Sequence, residues 1–180
     1  VLVSCSLMQL SAEETKLLQG FEGSFSPTKW PDERPGKVEV SEDWKSEGKK
    51  SLRIDPGLMT TVENFSTRNW KGYDVLRVHF KKESDAAVTI GFELRDKHKG
   101  FRERHDGAFG IVPGVSTVDI DISGGLWRGE ENKPYLGKIK TPIEFDLIKR
   151  VAFANRGKAP VYVDQIEIVK VKKVVVDGGY

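Results

Sequence analysis

Apolar and polar residues alternate with a period of two along most of this chain. In residues 75–80, Leu76, Val78 and Phe80 share one face; in residues 88–95, Ile90, Phe92 and Leu94 do, with Glu93 and Arg95 opposite. The run Val118-Asp119-Ile120-Asp121-Ile122 is the clearest alternation, and residues 161–168 carry the last one. Residues 37–41 and 51–55 are shorter runs bounded by Gly36, Gly48 and Pro56. Successive side chains of a strand point to opposite faces, so these runs predict half-buried strands. Their recurrence about every ten residues, between Gly and Pro breaks, predicts an all-β fold, an antiparallel sandwich. A parallel sheet would need amphipathic helical crossovers, and no run of that length has helical period.

One segment predicts a helix. Ser11 and Glu14 have the spacing of a capping box, residues 16–19 continue it, and Gly20 stops it. The organisation expected is therefore a short N-terminal helical lead-in over 1–19, a sandwich over 20–169, and a strand extension or linker over 170–180. Two stretches, 26–34 and 123–141, break the alternation with Pro and Gly and hold Trp30, Trp127 and Tyr135 in long loops.

Composition narrows the function classes. The formal charge is only +2, from 29 basic and 27 acidic residues, which gives no electrostatic case for nucleic acid. No run reaches the roughly 18 apolar residues of a membrane helix. Cys5 is the single cysteine, so an intramolecular disulfide and a CxxC redox pair are both excluded. The segment Leu2-Val3-Ser4-Cys5 reads like the end of a bacterial lipoprotein signal, an expectation of lipid anchoring at the cell surface; the other reading is an incidental thiol.

The chemistry-bearing residues make no recognisable catalytic constellation. His79, His98 and His105 lack metal-ligand spacing, and no nucleophile elbow or phosphate loop is present. Asp119 and Asp121 share a strand face about 7 Å apart, a separation that suits a glycosidase acid and base; Glu93 is a third carboxylate for that reading. Arg77, His79, Glu93 and Arg95 all point away from the apolar sides of their strands. If those strands are neighbours, one sheet face carries a charged network, either a solvated surface or the floor of a polar groove.

A set of ordered segments adds to this. Gly20-Phe21-Glu22 opens the sandwich, followed by Ser46-Glu47-Gly48-Lys49-Lys50-Ser51-Leu52-Arg53 and Trp70-Lys71-Gly72-Tyr73-Asp74-Val75-Leu76-Arg77. Arg95-Asp96, Phe101-Arg102-Glu103-Arg104 and Pro113-Gly114-Val115-Ser116-Thr117-Val118 come next, then residues 145–153 and 161–166. Their order resembles the carbohydrate-binding-module-like jelly rolls of the galactose-binding-like superfamily, over residues 20–169. The resemblance implies a secreted, monomeric, non-catalytic module that holds an attached glycoside hydrolase or lyase near a polysaccharide or oligosaccharide. It also implies a structural calcium where the first and last strands meet, with Glu22 and Asp164 at the matching positions, since Ca²⁺ takes six to eight oxygen ligands. Carbohydrate recognition needs flat apolar surface for the sugar ring and planar polar groups for its hydroxyls. The residues expected to supply these are Trp30, Trp127, Phe101, Arg104, Tyr135 and His98. Trp70 is expected to pack in the core. A structural spacer sharing the fold and a glycosidase acting through Asp119, Asp121 or Glu93 remain the alternatives. Burial of the loop aromatics would favour the spacer.

Overall fold

The computed structural model describes residues 13–98, 103–124, 126–128 and 141–171. They form ten strands: β1 Glu13–Gln19, β2 Val38–Ser41, β3 Ser51–Ile54, β4 Met59–Val62, β5 Val75–Lys82, β6 Val88–Arg95, β7 His105–Ile111, β8 Gly114–Asp121, β9 Arg150–Asn155 and β10 Val161–Val171. Every pairing is antiparallel. One sheet runs β2-β3-β10-β5-β8, with β1 also on β10; the other runs β4-β9-β6-β7. From β5 onward the chain passes back and forth between the two sheets, and the two stack face to face.

Alternation places the core between them. Leu76, Val78 and Phe80 of β5 face Ile90, Phe92 and Leu94 of β6 and Val151 and Phe153 of β9, all nearly or fully buried. Phe80 meets Phe153 edge to face at 5.7 Å and Phe109 at 5.5 Å, so one aromatic cluster spans both sheets. Buried Asn155 ties the sheets together through its Nδ2, which donates to the carbonyls of Ile54 and Ala159. Trp70 is fully buried, and its Nε1 donates to the carbonyl of Thr67.

The helix expected before Gly20 is a strand instead. Glu13 to Gln19 pair with the C-terminal half of β10, Glu13 opposite Val171 and Leu17 opposite Glu167. A capping box stabilises a helix by about a kcal/mol. An exposed edge along the eleven-residue β10 offers a ladder of backbone bonds and a buried site for Leu18, and that tertiary gain overrides the local signal. The described sheet therefore begins at Glu13 and runs to Val171, wider than the 20–169 expected.

β1 and β3 lie on the same side of β10 and divide it. β3 pairs with Val161 to Val163, β1 pairs from Ile166 onward, and the gap between them is Asp164-Gln165. The register shifts there, and Gln165 takes a φ of 46°, a left-handed conformation that a non-glycine residue adopts only when its surroundings hold it.

Candidate functional site

The gap in β10 is filled by the loop before β3. Asp164 is fully buried; its Oδ2 accepts hydrogen bonds from the Ser46 amide at 2.8 Å, the Ser46 hydroxyl at 2.7 Å and the Glu47 amide at 3.2 Å, while Oδ1 accepts from the Gln165 amide. Glu22 holds the other end of the same loop, its Oε1 accepting from the amides of Lys49 at 2.6 Å and Lys50 at 2.9 Å. These amides hold the Glu22 carboxyl below its ordinary pKa. Gly48 makes the approach possible: its φ is 70°, and a Cβ there would lie 2.2 Å from Glu22 Oε1. Glu22 and Asp164 are thus drawn to one seam, where the resemblance places calcium. The groups turned toward them are N–H and O–H donors, whereas a calcium ion needs oxygen acceptors. In this structure both carboxylates are engaged by those donors, with the Glu47 carboxylate and Gln165 Oε1 at the same seam.

A second region lies on the outer face of the four-stranded sheet. Side chains paired across a sheet share a face. The register puts Met59, Ala154, Gly91 and Ala108 in one outward row, with Thr61, Ala152, Glu93 and Asp106 in the next. The floor is therefore made of Gly and Ala at four positions. Trp30 extends the first row through an antiparallel bridge to Met59, closed by hydrogen bonds of 3.0 and 2.8 Å between their backbones. Trp30 is 62% exposed. The Thr28 hydroxyl fixes this segment further, accepting from the Thr61 amide at 2.9 Å.

Charge is concentrated along the same face. Glu93 is largely covered although it points outward, because arginines close over it. Its Oε1 accepts from Arg95 Nε at 2.8 Å and Arg150 Nη2 at 2.7 Å, and its Oε2 lies 3.1 Å from Arg104 Nε. Arg104 also donates to Asp106 at 2.7 Å. Arg156 lies over the floor, with Nη2 and Nε about where a Cβ on Gly91 would make close contact.

The loops at the C-terminal end of β6 carry Trp127. Asp96 is fully buried and accepts at Oδ2 from Arg128 Nε at 2.9 Å, Arg128 Nη2 at 2.6 Å and the Glu144 amide at 2.8 Å. Trp127 bridges Pro142, and its carbonyl accepts from His105 Nδ1 at 3.1 Å, which requires the proton on that nitrogen. Trp127 as a whole residue is 39% exposed. His98 sits 3.0 Å from Glu144 Oε1. Lys97, His98 and Arg128 together hold the Glu144 carboxyl down, to a pKa of about 2. Asp96, His98 and Glu144 are close enough to hold a metal, but Arg128 already supplies the cation there.

Of the residues expected from the sequence, Trp30 lies at the β4 edge of the outer face, and Arg104, Trp127 and His98 gather at the β6–β7 end. Arg104 is engaged by Glu93 and Asp106, so it shapes the face. Phe101, Tyr135 and Cys5 lie outside the described residues. Arg77 and His79 are not beside Glu93 and Arg95: β5 and β6 belong to different sheets, and the two charged sets lie on opposite outer faces. Asp119 is bound in two places by Arg77, whose Nε and Nη2 donate at 2.8 Å, and this pairing lowers its pKa; Ser123 lowers that of Asp121. A glycosidase pair needs its two values pushed apart, one of them upward. Both are held down.

No protein-family model matches the chain, and no curated protein matches it. Solved structures do. A family 11 carbohydrate-binding module from Clostridium thermocellum, in complex with a β-1,3-1,4-mixed-linked tetrasaccharide, aligns with a TM-score of 0.65 at 15% identity, over 89% of this chain and 98% of that one. An exo-β-agarase aligns at 0.57 and 12% identity, over 88% of this chain and 25% of its own. The carbohydrate-binding and catalytic modules of a C. thermocellum xylanase, complexed with xylohexaose, align at 0.51 and 9%, over 87% and 28%. The chain has a carbohydrate-binding-module fold.

Sequence reasoning missed the floor of this module-like face and its arginines. Ala152 and Ala154 alternate with Val151 and Phe153, so small residues stand where an outward strand face usually carries polar ones. That alternation was the available signal. Arg150 and Arg156 bracket it, and only the folded chain brings Arg150 to Glu93 and Arg156 over Gly91.

Proposed function

We propose that the outer face of the four-stranded sheet binds a polysaccharide chain without performing chemistry on it. The observation that carries this is Trp30, an exposed indole fixed by backbone bonds at the margin of a floor built from Gly91, Ala108, Ala152 and Ala154. Small floor residues leave depth for a sugar ring, the indole offers a flat apolar face, and a rigid sheet loses little entropy on binding. Two solved structures that share this fold were solved with a tetrasaccharide and with xylohexaose, which supports the reading. Trp127, 39% exposed, is a second platform at the far end. The carboxylates of the face, Glu93 and Asp106, are engaged by arginines and are not set up as a proton donor and acceptor pair. A monomeric, extracellular module of this kind binds weakly and gains avidity from an attached catalytic domain or from a lipid anchor at Cys5.

The test is affinity electrophoresis of the protein through gels containing single polysaccharides. Trp30→Ala is expected to weaken retardation at least tenfold, the effect of truncating a tryptophan that carries much of the binding, while the unfolding midpoint stays within error because the residue is exposed. Absence of retardation by every polysaccharide tried rules the proposal out.

A further inference from the structure

The composition of the outer face of the four-stranded sheet points to a more particular ligand. Among the described residues of that face, Arg95, Arg104, Arg150 and Arg156 stand against Glu93 and Asp106, a local excess of two positive charges in a chain whose whole formal charge is +2. Arg95 and Arg150 are directly paired across β6 and β9. Like charges in that position repel unless an anion lies between them. Glu93 serves as that anion, but a single oxygen, Oε1, serves both arginines, and its other oxygen is turned to Arg104. Among the described residues Arg156 has no anion: its guanidinium makes no hydrogen bond or ion pair there, and it lies across Gly91 in the middle of the floor.

A neutral glycan gains nothing from such an excess, because hydroxyls are matched as well by amides and carboxylates. A planar guanidinium fork is matched by the paired oxygens of a carboxylate or sulfate. We infer that the groove takes an anionic polysaccharide, one whose sugar units carry carboxylate or sulfate groups, with Arg156 as the arginine that meets the charge and Trp30 as the platform for the ring. This inference rests on the proposed binding function and deepens it.

The experiment runs the protein through native gels containing polygalacturonate, a sulfated galactan, or neutral mixed-linkage β-glucan. Retardation by polygalacturonate alone assigns carboxylate, and by the galactan alone assigns sulfate. In either case raising salt from about 0.05 to about 0.5 M should relieve it, since screening shortens the reach of the arginines. Arg156→Gln should weaken retardation about tenfold while the unfolding midpoint holds. Lys16→Gln removes one charge from exposed β1 in the other sheet and should leave retardation unchanged. Equal losses in the two variants would mean bulk charge and overturn the inference, as would no loss in Arg156→Gln. Retardation by the neutral glucan alone overturns it and leaves the binding function standing. Retardation by none of the three removes both.

Discussion

At the scale of single residues, Asp164 shows how one buried carboxylate can close a gap in a strand. Four donors converge on it from Ser46, Glu47 and Gln165, and Gln165 holds a left-handed backbone to supply one of them. Removing the acceptor leaves these partly buried donors without their partner at the end of the loop, and each group left unsatisfied costs about 1–3 kcal/mol. Asp164→Ala is therefore expected to lower stability by about 2–4 kcal/mol in denaturant unfolding, at the upper end of single-residue effects. Calcium at this seam is implied only by the resemblance, and the amide clasp supports a metal-independent closure. The thermal midpoint should then be the same in EDTA as in excess calcium. A rise of several degrees with calcium would show that an ion joins Glu22 and Asp164 after displacing the amides.

At the scale of elements, the loop that carries Trp127 is anchored by the ion pairs of Arg128. Arg128, almost wholly buried, donates twice to Asp96, and Asp96 is fully buried at the end of β6. Breaking a buried pair leaves a charge without a partner and costs about 3–5 kcal/mol. Arg128→Met should produce that loss in denaturant unfolding, and it should redden Trp127 emission as the 126–128 segment loosens from Thr141 and Ile143. Arg128→Lys should recover little, because an ammonium cannot reproduce the two parallel bonds. The same scale shows what local pattern can and cannot reveal. β5, β6, β8 and β10 are legible because each carries an alternating run of five to eight residues. β4 is four residues long, and β7 carries Gly107, Ala108 and Gly110 at positions that alternation needs, so neither stands out. β1 was misread because a capping box is a local signal, while its pairing with β10 spans some 150 residues of chain.

At the scale of the whole molecule, the exposed tryptophans were readable from loop composition, but the groove was not. Its floor joins Met59, Gly91, Ala108 and Ala154 from four separate strands, and only their register makes them one row. The charges tell a similar story, because the sandwich separates sets that seemed adjacent and gives each its own response to acid. Glu22 at the seam, Asp119 on the six-stranded sheet and Glu144 beside Arg128 all have carboxyl groups held below their ordinary values by amides or cations. A carboxylate depressed in the folded state binds fewer protons there than when unfolded, so its contribution is complete above the unfolded value and disappears as pH falls through the folded one. For Glu144 that window runs from 4.5 down to about 2. Stability should hold steady above the window and fall through it, with no loss on the alkaline side from these groups. Glu144→Gln removes one titrating group, so its thermal midpoint should start lower at neutral pH and decline less steeply between about pH 4.5 and pH 2. Melting curves of both proteins across that range decide the point, and parallel declines would show that the network around Arg128 takes no part in acid unfolding.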